Sequence, residues 1–180
     1  MRFVPRIRDG GSVLDLAAGA GRHSRALLDL GYCVTAVDVS ISKMEDVMVE
    51  PRFELIAADL EANRWPFVDR RFDGIVVTNY LHRPLLPRLA ESLSPGGVLI
   101  YETFGVGNEA YGRPSNPDYL LRENELLEAY EKRLSVVAYE HVHEREPRPA
   151  VMQRLCAVLP GETPEAPKRH ADAGDRTEAE

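Results

Sequence analysis

The residues of this chain best suited to chemistry lie where an apolar run ends in a turn of small residues. The run is Val13 to Leu16, the turn is Ala17 to Gly21, and a helical pattern starts at Arg22. Asp38 closes the next apolar run, Tyr32 to Val37. Small residues let the main chain approach a ligand closely, and a carboxylate at the tip of the next strand can accept hydrogen bonds from both hydroxyls of a ribose. The pattern therefore predicts a nucleoside-binding corner.

Asp15 distinguishes this corner from an ordinary dinucleotide site. It lies within the first strand, close to the turn. A negative charge there would repel a phosphate group. A carboxylate at this position instead favours a ligand with a cationic head group.

The segment from Val13 to Ser24, followed by Gly31 to Asp38, resembles the class I methyltransferases that use S-adenosylmethionine. More narrowly, it resembles the small bacterial methyltransferases of the tellurite-resistance type. The resemblance extends over most of residues 11 to 159. The first glycine of the usual Asp-x-Gly-x-Gly-x-Gly pattern is Ala17 in this chain. Because alanine is nearly as small, we expect cofactor binding to be retained, with less tolerance for the widest backbone angles.

The resemblance implies a set of cofactor-binding residues at the carboxyl ends of successive strands. Asp15 would act on the ammonium group of the cofactor, and Asp38 would hold the ribose diol. Asp59 and the main chain of Leu60 would meet the adenine amino group. The complete predicted set is Asp15, Ala17, Gly19, Gly21, Arg22, Asp38, Val39, Asp59, Leu60, Thr78 and Asn79.

The methionine end of the cofactor has its own predicted contacts. The main chain around Gly19 would meet the methionine portion, and Arg22 would pair with its carboxylate. Thr78 and Asn79, just past the fourth strand, would face the transferred methyl group.

Each residue of the predicted cofactor set also has a plainer interpretation. An isolated Asp38 or Asp59 is often a helix N-cap, Arg22 is equally a solvated helix residue, and glycines serve any tight turn. Their recurrence at successive strand ends favours the cofactor site.

The predicted catalytic residues are His82, Glu102 and Tyr80. His82 is the first candidate for a general base because the ordinary pKa of histidine lies near neutrality, and Glu102 at a strand end is the second. The alternative for His82 is a histidine at a helix start that bonds the main chain. Asn79-Tyr80 is similar to the Asn-Pro-Pro-Tyr signature of methyltransferases acting on adenine amino groups. Both prolines are absent, so that assignment does not carry over.

Alternating strands and helices predict a Rossmann-like, doubly wound α/β fold with a mostly parallel sheet of about seven strands. The last two strands lack a helix between them and should form an antiparallel hairpin. The predicted strands are 13–16, 32–37, 53–57, 72–78, 98–104, 134–142 and 151–159, and the predicted helices are 22–30, 42–49, 84–93 and 124–132. The long connection from Gly105 to Leu121 is expected to be a lid or a binding loop.

The length and the charge of the chain limit the number of domains and the kinds of partner that we expect. We expect one methyltransferase domain over residues 1–159 and a disordered acidic tail over 160–180. The net charge is −7, with −3 in the tail and −4 in the remainder. A chain without a basic excess is not typical of proteins that hold long nucleic acids. Only Met1 to Asp9 precede the predicted domain core, whereas most members of the class have one or more helices there. We therefore expect either that part of the active-site roof is missing or that the sequence is a shortened form of a longer chain.

The expected location is the cytoplasm. The N-terminus is basic but lacks the apolar segment of a signal peptide, and no apolar stretch is long enough to cross a bilayer. His141 and His143 would share one face of a strand, but no Cys or Asp completes a recognisable metal site. We therefore expect them to be surface residues and expect no bound metal.

Four functions remain open from the sequence. The first is methyl transfer to a small molecule or a chalcogen oxyanion. The second is methyl transfer to RNA or protein, using a basic patch that comprises Arg64, Arg70, Arg71, Arg83, Arg88 and Arg113. A nicotinamide oxidoreductase is disfavoured because the third glycine is absent and Asp15 would lie close to a pyrophosphate. The fourth is a non-catalytic cofactor binder or a partner subunit.

Overall fold

A seven-stranded sheet organises the chain. The computed structural model describes residues 2–62 and 64–161. The predicted tail of residues 160–180 falls outside this part except for its first two positions. The strands are β1 Ser12–Leu16, β2 Cys33–Asp38, β3 Phe53–Ala57, β4 Phe72–Thr78, β5 Leu93–Phe104, β6 Ser135–Glu144 and β7 Ala150–Val158. The α-helices are α1 Arg22–Asp29, α2 Leu86–Glu91 and α3 Glu125–Tyr130.

The strand order is β3-β2-β1-β4-β5-β7-β6. Strands β1 to β5 pair in parallel, whereas β7 runs antiparallel to both β5 and β6. The predicted fold, including the closing hairpin, is therefore confirmed. The direction of strand progression reverses between β1 and β4, and ligands of open α/β sheets bind at the carboxyl ends of strands beside such a switch point.

The central strands are apolar on both faces because both faces of the sheet are covered. In β1, Val13 and Leu14 are fully buried, and in β4 the same holds for Ile75 and Val77. Near-continuous burial of this kind is typical of parallel strands. This burial holds the central strands in place, and with them the strand ends that carry the polar residues of the site.

The N-terminal segment packs against one face of this sheet. Val4 and Ile7 are buried, and the hydroxyl of Tyr32 donates a hydrogen bond of 3.1 Å to the carbonyl of Val4. Gly74 in β4 makes room for this contact, since a Cβ at that position would clash with the Ile7 side chain. The segment thereby covers the sheet beside α1.

Two predicted helices differ from the structure. The helix predicted to include Leu93 ends at Glu91, because Leu93 pairs with Phe72 and so already belongs to β5. Residues Ser42–Val47 form a 3-10 helix rather than an α-helix. In addition, Asn124 precedes α3 in a left-handed conformation, with φ of 58° and no side-chain cap bond.

The connection 105–121 is more ordered than an open lid. It contains 3-10 turns at Asn108–Ala110 and Pro117–Tyr119. The buried Asn108 side chain donates to the carbonyl of Pro114 at 3.1 Å and accepts from the N–H of Val151 at 3.2 Å. These bonds fasten the connection to β7. No helix among the described residues has the length and apolarity required to span a membrane.

Candidate functional site

The turn after β1 is held in an unusual backbone conformation. Ala17, Gly19 and Gly21 have φ of 53°, 59° and 74°, all in the left-handed region. The N–H of Ala18 donates to the carbonyl of Val37 at 3.1 Å and ties the turn to β2. The alanine therefore adopts the angle that the family pattern reserves for glycine, at a cost of about 1–2 kcal/mol.

Asp38, at the end of β2, bonds this turn directly. Its Oδ2 accepts from the N–H of Gly19 at 2.8 Å, and its Oδ1 accepts from the N–H of Ser40 at 2.9 Å. A carboxylate has about four acceptor positions. One position on each oxygen thus remains for a further donor.

A small cavity of about 170 Å³ lies beside Asp38. Five of the predicted cofactor residues line it together with Tyr80. The residues of this set, which we call the acidic cavity, are Ala17, Asp38, Val39, Ala58, Asp59, Leu60, Glu61 and Tyr80. The structure thus brings together, at one place, residues that the sequence separates by more than sixty positions.

The polar groups of the acidic cavity leave specific atoms available. Asp59 Oδ1 accepts from the N–H groups of Glu61 and Ala62 at 2.9 and 3.1 Å. The buried hydroxyl of Tyr80 makes no hydrogen bond of normal geometry within the described residues, although the Glu61 carboxylate lies near it. Burial, together with the nearby carboxylates of Glu61, Asp59 and Asp38, raises the pKa of Tyr80. A hydroxyl in this state is able to bond a ligand that enters the cavity.

Tyr80, a predicted catalytic residue, lies in the acidic cavity beside the residues predicted for the adenosine of the cofactor. Its catalytic role stays a prediction. A protonated phenol at this position is suited to hydrogen bonding rather than to removing a proton.

A larger cavity, of about 450 Å³, opens on the face covered by the N-terminal segment. We call it the arginine cavity. It contains Arg22, Thr78 and Glu102 of the predicted set and combines charged groups with an apolar wall. Its lining residues are Arg2, Phe3, Val4, Arg22, His23, Val76, Thr78, Ile100, Tyr101, Glu102, Glu140, Arg154 and Leu155.

His23 is the functional candidate that the sequence analysis missed. Its Nδ1 lies 3.2 Å from Thr78 Oγ1, and its Nε2 lies 3.3 Å from a guanidinium nitrogen of Arg22. Arginine can only donate, so Nε2 accepts and Nδ1 carries the proton given to Thr78. Burial and the charge of Arg22 lower the pKa of His23, against an opposing effect of Glu102. The imidazole is therefore neutral at neutral pH.

Glu102 and Arg22 differ in how far their charges are compensated. Glu102 accepts a hydrogen bond from Arg154, which also bonds Glu144. Burial opposes the charged form of Arg154, but these two carboxylates raise its pKa. Arg22, at the start of α1, has no carboxylate partner within the described ranges. Glu102 is thus held in an ion pair, while Arg22 is available to an anion.

Asp15 is buried and joins β1 to α1 in this structure. Its side chain is 1% exposed, and Oδ2 accepts a hydrogen bond of 2.6 Å from the Ser24 hydroxyl in α1. Burial raises the pKa of Asp15 to about 6, although the bonds from Ser24 act in the opposite direction. It lines neither cavity, and its predicted action on an ammonium group stays a prediction.

The remaining predicted residues lie at the ends of β1 and β4. A Cβ on Gly21 would lie 2.7 Å from Met44 Cγ, so this glycine is required by packing. Asn79 is exposed, with φ of 55°, and its N–H donates to the carbonyl of Glu102 at 2.9 Å. His82 is half-buried and lines neither cavity, and its carbonyl accepts from the N–H of Leu85 at 3.0 Å. Its general-base role stays a prediction.

The proposed basic patch is partly neutralised. Arg70 pairs with Glu54 at 2.8 Å, Arg83 with Glu125 at 2.7 Å and Arg88 with Glu91 at 3.0 Å. Half of the six arginines are therefore committed to ion pairs. Within residues 2–62 and 64–161, no cluster of three or more potential metal ligands occurs.

Comparisons with known proteins agree with this geometry. Residues 13–97 match the family described as a methyltransferase domain. The demethylmenaquinone methyltransferase of Renibacterium salmoninarum is 34% identical over 119 residues, which is 63% of this chain and 49% of that protein. The chain spans about half the length of the curated relatives it matches.

Two solved structures show the same fold. The first is the 1,6-didemethyltoxoflavin-N1-methyltransferase of Burkholderia thailandensis, with 1,6-didemethyltoxoflavin and S-adenosylhomocysteine bound. Its TM-score is 0.65 at 21% identity, over 84% of this chain and 72% of that chain. The second is TehB of Haemophilus influenzae, with a TM-score of 0.66 at 22% identity, over 87% of this chain and 59% of that chain. At these identities the likeness establishes the fold.

Proposed function

We propose that this chain binds S-adenosylmethionine and transfers its methyl group to a small molecule. Residues 13–97 match the family described as a methyltransferase domain, and the fold is that of the class I methyltransferases. The observation that carries the proposal is the acidic cavity. There, Asp38, Asp59 and the buried hydroxyl of Tyr80 converge beside a turn in the left-handed conformation. These groups fit an adenosine, and the Asp59 carboxylate would repel a pyrophosphate placed beside it.

Asp38 would hold the ribose. Its two oxygens already accept from the N–H groups of Gly19 and Ser40. The remaining acceptor position on each oxygen would take one ribose hydroxyl. The ribose can therefore bind without displacing the bonds that support the turn.

Asp59 and Tyr80 would recognise the base. Asp59 uses Oδ1 for two main-chain N–H groups, which leaves Oδ2 as an acceptor for an exocyclic amino group. The Tyr80 hydroxyl would give its hydrogen bond to an acceptor nitrogen or oxygen of the nucleoside. The ligand is therefore selected by two needs, an amino group for Asp59 and an acceptor atom for Tyr80.

Arg22 and Thr78 would hold the methionine end. The guanidinium of Arg22 has no carboxylate partner in the described part of the chain, so it would bind the methionine carboxylate. When bound, the cofactor supplies a methyl group on a sulfonium, which is already a good leaving group. The work left for the protein is to orient the acceptor, exclude water and, where needed, accept a proton.

A small-molecule acceptor is supported by charge and by the relatives. The net charge is −7, and three of the six arginines proposed for a nucleic-acid patch are neutralised. The names of the relatives identify demethylmenaquinone and 1,6-didemethyltoxoflavin as their substrates, and both are small molecules. The arginine cavity, with a volume of about 450 Å³, falls within the range typical of small-ligand sites.

Incubation of the chain with S-adenosylmethionine carrying a radiolabelled methyl group would test this function. The label should appear in small aromatic acceptors and be absent from transfer RNA and ribosomal RNA offered at equal mass. Label in RNA that is lost on reversing the charges of Arg64, Arg71 and Arg113 would overturn the small-molecule assignment. Cofactor binding without transfer to any acceptor would favour a non-catalytic binder.

A further inference from the structure

We propose that the arginine cavity is the acceptor site and that His23 is its general base, so that the acceptor carries a weakly acidic hydroxyl group. This inference rests on the proposed function. It assigns a role to a histidine that the sequence pattern treats as an ordinary helix residue. The supporting observations are the position, the bonding and the charge environment of its imidazole.

Position comes first. His23 lies in the first turn of α1 and lines the arginine cavity directly beside Thr78, the last residue of β4. Thr78 is expected to face the methyl group that is transferred. An acceptor seated in this cavity would therefore lie against the imidazole and close to the methyl group. His82, the alternative base, does not line the cavity.

The hydrogen bonds of His23 define which nitrogen can receive a proton. Nδ1 donates to Thr78 Oγ1 at 3.2 Å, which leaves the lone pair on Nε2. Arg22 contacts Nε2 at 3.3 Å. Arg22 is exposed and is the residue proposed to bind the methionine carboxylate. Cofactor binding would draw the guanidinium towards the carboxylate and release Nε2.

The surroundings of His23 favour the neutral form of its imidazole, which is the form that can accept a proton. Arg22 disfavours the imidazolium, Glu102 favours it, and burial disfavours it most. The other charged groups lining the cavity are paired with each other. Arg2 bonds Glu140 at 2.7 Å, and Arg154 bonds Glu102. His23 is thus the uncharged proton acceptor among the titratable groups lining this cavity.

The balanced step follows from these groups. The O–H bond of the acceptor breaks, its proton goes to Nε2 of His23, and the oxygen electron pair forms the new bond to the methyl carbon. The C–S bond of the cofactor breaks, and its electron pair stays on sulfur. Imidazolium then loses the proton to solvent. No further reactant is needed.

The cavity walls select the ligand class. Phe3, Val76 and Ile100 provide apolar surface, whereas His23 and Thr78 provide the polar end. A planar aromatic alcohol matches this division. We choose 1-naphthol as the probe, and 1-methoxynaphthalene as the matched compound that has the same rings but no proton to give.

The test measures binding and imidazole titration. Affinity for both probes is measured calorimetrically with S-adenosylhomocysteine present, for the wild-type chain, for His23→Gln and for His143→Gln, an exposed control on β6. We expect His23→Gln to weaken 1-naphthol binding about tenfold, which equals about 1.4 kcal/mol, and to leave 1-methoxynaphthalene unchanged. His143→Gln should change neither affinity.

Nuclear magnetic resonance of the imidazole groups gives an independent readout. The His23 signals, assigned through His23→Gln, should titrate below the ordinary pKa of 6.5. They should shift on addition of 1-naphthol, whereas the His143 signals should not. Bound S-adenosylhomocysteine should move the titration of His23 upward, because Arg22 leaves the imidazole.

The outcomes separate this inference from the proposed function. If S-adenosylhomocysteine binds but 1-naphthol does not bind, or binds equally well to His23→Gln, the acceptor-site assignment is overturned while the cofactor assignment stands. If neither the wild-type chain nor the variants bind S-adenosylhomocysteine, the proposed function itself fails. Loss of cofactor binding in His23→Gln alone would reassign His23 to the cofactor site.

Discussion

The Asp38 carboxylate accepts a hydrogen bond of 2.8 Å from the main-chain N–H of Gly19. This bond joins the tip of β2 to the turn that follows β1. It fixes the turn in its left-handed conformation and, at the same time, orients the carboxylate towards the acidic cavity. One residue therefore builds the site and presents the group that would bind the ribose.

Asp38→Ala should weaken the binding of S-adenosylhomocysteine. Removing both charge-assisted bonds to the ribose should cost about 1.5–3 kcal/mol, or roughly ten- to more than a hundredfold in affinity. Titration calorimetry measures this loss. Asp29→Ala, an exposed carboxylate at the end of α1, is the control and should bind normally. Equal affinity in Asp38→Ala and the wild type would show that the ribose site lies elsewhere.

The two glycines of the turn should respond differently to alanine. Gly19 has open space around a Cβ, so Gly19→Ala should cost only the left-handed strain, about 1–2 kcal/mol of unfolding free energy. Gly21→Ala adds a clash with the buried Met44, which raises the cost by about 1–3 kcal/mol. Urea unfolding compares the two variants. The prediction fails if Gly19→Ala proves the less stable of the two.

Asp15 should make stability depend on pH. Its pKa is about 6 in the folded chain and 3.8 in the unfolded reference, so the folded state holds the proton more tightly. The resulting stabilisation, about 3 kcal/mol, is present below pH 3.8 and is lost as the pH rises through 6. Asp15→Asn should lack this component. Unfolding free energies of both proteins between pH 4 and pH 7 should therefore diverge, and parallel curves would contradict the assignment.

Arg83 should stabilise the connection 105–121 rather than bind a nucleic acid. Its guanidinium bonds Glu125 at 2.7 and 2.9 Å and the carbonyls of Asp118 and Leu120. Burial opposes ionisation of Glu125, but the bonds from Arg83 and Arg122 lower its pKa to about 2. Because Arg83 is one-third exposed and Arg122 still bonds Glu125, Arg83→Ala should cost about 1.5–3 kcal/mol in unfolding free energy.

Arg88 offers the matched control for that variant. Its pair with Glu91 is exposed, so Arg88→Ala should cost less than about 1 kcal/mol. Urea unfolding of the two variants side by side measures the difference. Similar losses in both would mean that the Arg83 pair contributes no more than a surface ion pair.

Much of the fold could be predicted because local pattern and long-range packing agree. Phe53–Ala57 and Phe72–Thr78 begin and end as predicted, and the closing hairpin follows from the missing helix between the last strands. The C-terminal end of α2, predicted at Leu93 and found at Glu91, could not be predicted from sequence. Leu93 continues the helical apolar spacing, and only its pairing with Phe72 across the sheet transfers it to β5.

The site divides in the same way. The convergence of Asp38, Asp59 and the turn could be predicted because they stand at strand ends, where the fold class concentrates ligands. The surroundings of Tyr80 and His23 could not be predicted from sequence. Which side of the sheet edge Tyr80 faces depends on the left-handed backbone of Asn79. His23 satisfies the helical apolar spacing, and its role depends on the position of Thr78 on a different strand.

Titration of the purified chain with S-adenosylmethionine, S-adenosylhomocysteine and NADH tests the central claim most directly. The acidic cavity predicts binding of both adenosyl compounds with dissociation constants on the order of 1–100 µM, in the usual range for enzyme substrates. It predicts no binding of NADH at the same concentrations. Binding of NADH, or the absence of binding by both adenosyl compounds, would contradict the account.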